Sequence, residues 1–143
     1  MLNLRFPPLH AQEVIDALKL SPHPEGGYYR EVWRDTPPGG GRGAATSILF
    51  LLAKGQRSHW HKVDAAELWL WHGGASMALH IAGQHKLLLG PDLAAGEHLQ
   101  AVVPANTWQE AECTGNWSLV SCVVAPAFEF AGFELAPKGW KPG

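Results

Sequence analysis

The chain has 143 residues, 46% of them hydrophobic and 17% charged, with a formal net charge of −2. That length suits one domain, residues 1–143, around one core. The absence of any Lys/Arg block argues against a nucleic-acid polymer as partner, and no apolar run reaches the ~18 residues of a membrane-spanning helix. Met1-Leu2-Asn3-Leu4-Arg5-Phe6-Pro7-Pro8 has no charged stretch leading into an apolar one, so no signal peptide is expected and the cytoplasm is the expected location.

Leu9 to Leu20 reads as a helix, with Ala11, Val14, Ile15 and Leu18 at helical spacing and Ser21-Pro22 as its stop. His23-Pro24-Glu25-Gly26-Gly27 is a turn by composition. Tyr28 to Trp33 reads as a strand. Pro37 to Gly43 is a glycine-rich loop, expected to be the most mobile part. From there short strands follow one another: Thr46 to Ala53, apolar on both faces, then Arg57 to Lys62, Glu67 to His72, Met77 to Ala82, Gln84 to Leu89, Leu99 to Val103, Thr107 to Cys113 and Trp117 to Ala125. In the tail, Phe128 and Phe130 fall on one face. Short strands punctuated by 16 Gly and 11 Pro predict an all-β sandwich or barrel with the helix packed outside. Cys113 and Cys122 flank the turn Thr114-Gly115-Asn116. If that turn joins antiparallel strands, Cys113 meets a residue near Ser118, so two free thiols are expected.

The chemistry concentrates in Ser58-His59-Trp60-His61-Lys62-Val63-Asp64-Ala65-Ala66-Glu67-Leu68-Trp69. In an extended strand alternate side chains share a face, which puts His59 with His61 and turns Trp60 away. A turn after Val63 brings Glu67 back over that face. Two imidazoles and a carboxylate there make either a facial metal site or an acid/base pocket. The plainer alternative is a polar wall of hydrogen-bonded histidines.

The pair His59-x-His61, then Glu67 and Gly73, resembles the first motif of the cupin superfamily, and Gly96 to Gln109 lies where the second would. His23 to Glu31, Thr46 to Leu52, His59 to Trp69, Val103 to Gln109 and Val123 to Phe130 together resemble the cupin_5 (DUF985) family over roughly Leu4 to Leu135. The resemblance implies a double-stranded β-helix, the jelly-roll barrel, and a homodimer. It also implies a divalent metal (Zn, Mn, Fe or Ni) on His59, His61 and Glu67, with Gln109 completing the set. The chain departs from the pattern in three places. Gln109 stands where metal-binding cupins carry a histidine, His61 to Glu67 is a residue or two longer than usual, and Leu70 follows Trp69 where the family often has histidine.

The resemblance leaves three functions open. One is the metal-dependent enzyme, an isomerase or oxygenase. Another is a metal-free reaction like that of the sugar-nucleotide epimerases of the superfamily, with His61 steadied by Glu67 or Asp64 as base and Tyr28 or Tyr29 as acid. The third is a binding module for a sugar or nucleotide-like small molecule, lined by Tyr29, Trp69 and Gln109, with Arg30 and Arg57 on a phosphate. The plainer reading of the tyrosines is strand packing, and of the arginines surface ion pairing.

Overall fold

The computed structural model describes residues 2–7 and 10–143. Helix α1 (Ala11–Leu18) is shorter than the sequence suggests, and the predicted start at Leu9 lies outside the described residues. It ends where Lys19 turns left-handed at φ 56° and its N–H returns to Asp16 O. Ser21-Pro22 does more than stop the helix. It forms strand β1 (Ser21–Pro22) against the start of β2 (Tyr28–Arg34).

The remaining strands are β3 (Thr46–Ala53), β4 (Arg57–Val63), β5 (Ala66–Gly74), β6 (Met77–Ile81), β7 (Leu87–Leu89), β8 (Gln100–Val103), β9 (Gln109–Cys113), β10 (Trp117–Ala125) and β11 (Phe133–Leu135). They form two antiparallel sheets, one in the order β1-β2-β3-β10-β5-β8 and the other β11-β4-β9-β6-β7. The sheets face each other as a jelly roll, and the main core lies between them: Phe50, Leu52, Trp69, Met77, Leu79 and Val120. β3 is apolar on both faces for a structural reason. Phe50 and Leu52 point into the barrel, while Leu51 packs outward with Leu119 and Trp117 beneath Val14 and Ile15 of α1. Each such buried aliphatic contributes roughly 1.5–3 kcal/mol.

Consecutive strands often change sheet. The connection after Val63 is short, as expected, but it carries the chain across the barrel, so β4 and β5 are opposite walls rather than a hairpin. The turn after Cys113 likewise joins strands of different sheets. Both cysteines are free thiols, and Cys113 Sγ accepts a hydrogen bond from Ser118 Oγ at 3.3 Å. The glycine loop is anchored more firmly than its composition suggests. Arg42 holds both carboxylate oxygens of Asp64, at 2.7 and 3.0 Å, and donates from Nε to Ala127 O at 2.7 Å.

Two bulges place the site. In β4, Ser58 pairs with Ala111 and His61 with Gln109, so three steps on β4 match two on β9. Ser58 and His61 are therefore both buried inside, and the two residues between them are displaced. In β2, Glu31 pairs with Ile48 and Trp33 with Ser47. That extra residue leaves Val32 and Trp33 exposed and returns Arg34 to the face of Tyr29 and Glu31.

Candidate functional site

A cavity of about 170 Å³ opens between the sheets. His23, Glu25, His61, Glu67 and Cys122 line its buried end, Tyr29, Phe128, Phe130 and Phe133 form an aromatic wall, and Glu31 and Arg34 lie at the exposed mouth.

Glu25 reaches the cavity because the His23 to Gly27 turn is pressed against β4. His23 N–H donates to Gly27 O, Gly26 N–H to His23 O, and His59 N–H to Glu25 O at 2.7 Å. Gly26 (φ +106°) and Gly27 (φ +78°) adopt conformations that glycine permits. A Cβ on Gly26 would lie 2.1 Å from Arg57 O, so nothing larger fits.

The turn delivers Glu25 Oε2 to within 3.0 Å of His61 Nε2. His61 Nδ1 lies 2.8 Å from His59 O, and since a carbonyl only accepts, Nδ1 carries the proton. Nε2 then presents its lone pair to Glu25. Burial pushes the Glu25 carboxyl up to about 8, against a hydrogen bond from Ser58, and pushes His61 down. Both directions favour a neutral pair in which the Glu25 carboxyl O–H donates to Nε2. His23 Nδ1 accepts the Glu25 N–H at 3.1 Å, and burial, with the nearby His61, lowers His23 to about 4.

Glu67 faces this pair from β5. Trp69 Nε1–H can only donate, and it meets Gln109 Oε1 at 2.9 Å, so the amide's Nε2–H donates to Glu67 Oε1 at 2.8 Å. Burial pushes Glu67 up to about 7, and the Glu25 carboxyl adds to the rise. His61 and the hydrogen bonds from Gln109 and Cys122 oppose it. Replacing Gln109 with leucine strands the Trp69 N–H and a Glu67 oxygen. We expect a loss of about 1–3 kcal/mol in urea unfolding, and no measurable loss would mean that water satisfies both groups.

The cavity thus unites His61, Glu67 and Tyr29 of the residues singled out in the sequence. Gln109 and Trp69 stand behind Glu67 as its support. His59 does not join His61. The β4 bulge breaks the alternation, and His59 Nε2 instead contacts Pro137 O at 3.0 Å on the outer face. Tyr28 packs into the cluster beneath α1. Arg30 is exposed on the strand face opposite Tyr29. Arg57 is on the outer face, paired with Glu110 and Glu112. Glu25, His23, Cys122 and Arg34 were not marked by the motif. The signals for Glu25 are its place in the His23 to Glu31 block that carries the family resemblance and in a turn whose glycines allow close backbone approach.

This donor set does not fit a divalent metal. His59 is diverted to Pro137 O, and both ends of the Gln109 amide are engaged. Among the described residues no three His, Cys, Asp or Glu are grouped to hold an ion. No helix there is long and apolar enough to cross a membrane.

Comparison with known proteins fits this architecture. The crystal structure of a protein from Shewanella oneidensis is 38% identical, with a TM-score of 0.83, covering 89% of this chain and 84% of its own. A hypothetical protein from Leishmania major is 33% identical, with a TM-score of 0.80 and coverage of 89% and 87%. KdgF from Halomonas sp. shares the fold alone, at 15% identity and a TM-score of 0.59, with coverage of 78% and 90%. Among curated proteins none is a significant match. The family profile described as the cupin superfamily, DUF985, matches residues 12–136. With the jelly roll and these relatives, that match makes the chain a member of the Cupin_5 family of the cupin superfamily.

Proposed function

We propose that the barrel interior is a metal-independent acid–base site that moves a proton beside the carbonyl of a small, sugar-like ligand. The observation that carries this reading is the Glu25–His61 contact at 3.0 Å facing Glu67 across one cavity. Two carboxyls whose surroundings set their ionisation apart suit the roles of base and acid. Glu67, raised to about 7, ionises first and takes the proton from the carbon next to the carbonyl. The C–H electron pair becomes the enol double bond. Glu25, raised to about 8, keeps its proton longer; the carbonyl oxygen replaces His61 Nε2 as the acceptor of that O–H and takes the proton. Until then His61 holds Glu25 in place, and reversal returns a proton to carbon. Tyr29 is the tyrosine at hand, while Tyr28 is remote.

The volume narrows the ligand. About 170 Å³ falls below the ~300–1,000 Å³ of clefts for drug-sized molecules. A sugar-sized group fits inside, and any nucleotide part of a larger ligand stays beyond the mouth beside Arg34.

The test is deuterium wash-in from solvent into a panel of small keto and aldo sugars and keto-sugar nucleotides, followed by NMR. Exchange beside the carbonyl is expected, rising with pH through about 7 and falling through about 8 as Glu67 and then Glu25 ionise. Glu67→Gln should reduce it by ~100-fold or more. No exchange across the panel, or exchange indifferent to Glu67→Gln, would overturn the assignment.

A further inference from the structure

The β4 bulge that diverts His59 also builds a second compartment, on the outer face of the five-stranded sheet. Trp60 on β4 and His80 on β6 stand on either side of Glu110 on β9, their ring planes 17° apart and centroids 6.1 Å apart. The C-terminal segment closes one side. Ala136 N–H donates to Trp60 O, and Trp140 packs on Trp108 at 4.5 Å. Trp60, His80, Glu110 and Trp140, with Arg57 and Lys141, line an open groove of about 410 Å³, within the range of ligand clefts.

We propose that this groove binds a neutral saccharide, independently of the chemistry in the barrel. The charges at its floor are already matched. Arg57 meets Glu110 at 3.3 Å and Glu112 at 2.9 Å, and the same Glu110 oxygen meets His80 Nδ1 at 3.3 Å. A phosphate would have to break these pairs and would face two carboxylates, and an organic cation would face Arg57 and Lys141. A hydroxyl both donates and accepts, so it bridges a guanidinium N–H and a carboxylate oxygen without unbalancing either. Glu110 is a buried carboxylate at the floor with side-chain exposure of only 8%, while Arg57 is 57% exposed and within reach of a ligand. Trp60 and Trp140 supply aromatic surface for the C–H faces of a sugar ring.

The test is isothermal titration of the whole protein with maltose, cellobiose, xylobiose and diacetylchitobiose, with AMP and inorganic phosphate as charged comparators. At least one disaccharide should bind, with little sensitivity to added salt. Trp60→Ala and Trp140→Ala should each weaken it ~10-fold. Trp140 lies in the tail beyond the last strand, so its variant keeps the test open if Trp60→Ala misfolds. Glu67→Gln, which disables the barrel site, should leave this binding intact. Binding of AMP or phosphate in place of every sugar, no sugar binding, sugar binding that survives both Trp variants, or sugar binding that is lost in Glu67→Gln would overturn the proposal.

Discussion

Gly26→Ala is expected to destabilise the protein by about 3 kcal/mol or more, a size reserved for steric and backbone strain. Two penalties coincide. The residue sits at φ +106°, where an L side chain is strained, and its Cβ would lie 2.1 Å from the carbonyl oxygen of Arg57. That oxygen belongs to backbone laddered to Glu112 across β9, so it cannot swing aside as a flexible side chain would. Relief requires lifting the turn from β4, which gives up the His59 N–H to Glu25 O bond and withdraws the carboxyl from His61. Gly40→Ala separates the two penalties. Its φ is +90°, but nothing lies within 4 Å of the new Cβ. That variant should cost only about 1–2 kcal/mol. Urea unfolding of both decides it, and equal costs would show that the close approach to β4 carries no weight.

Stability should fall as pH rises from about 6.5 to 8. The sign follows from proton counting. Glu25 and Glu67 have folded pKa values raised from 4.5 to about 8 and about 7, so their contribution is complete below 4.5 and lost as pH climbs through those values. His23 is depressed from 6.5 to about 4, so its contribution is complete above 6.5 and lost as pH falls through 4, and His61 shifts in the same direction. Between about 4.5 and 6.5 the two sets offset each other. There the excess protons on the unfolded histidines work against those on the native carboxyls, which predicts a shallower pH dependence than above 6.5. Above 6.5 the unfolded histidines are neutral while the native carboxyls still hold protons. Each excess proton then removes about 1.4 kcal/mol per pH unit. Glu25→Gln and Glu67→Gln each delete one such proton and should shorten the alkaline decline. Denaturant melts across this range provide the measurement. A wild-type protein whose stability holds or rises from 6.5 to 8 would mean that these carboxyls are ionised when folded.

The barrel was legible because alternation and turn chemistry are local, as the Thr46 to Ala53 and Trp117 to Ala125 strands illustrate at both of their ends. His61 and Glu67 were legible as a pair because the short connection between them forces the chain back across the barrel. Three things were not. A bulge depends on pairing with β9, so nothing in the residues from Ser58 to His61 announces that His59 leaves the interior. The partner of His61 is 36 residues upstream by number, in a turn whose composition speaks only of backbone. Gln109 was marked by its position in a motif, but its role follows from Trp69, whose donor-only indole dictates which way the amide faces.

The bulge in β4 also bears on what a motif is. A period-two pattern carries a phase as well as a spacing, and the phase is assigned by the neighbouring strand. Two imidazoles separated by one residue share a face where a single phase runs through both. Where a bulge shifts the phase between them, they are divided between two compartments that share only a wall of backbone. Deleting Trp60 would restore strict alternation with Ser58 and His61 inside and His59 still outside, so the two environments would stay apart. For chains of this kind, the hydrogen-bond ladder decides whether a histidine pair is one site or two.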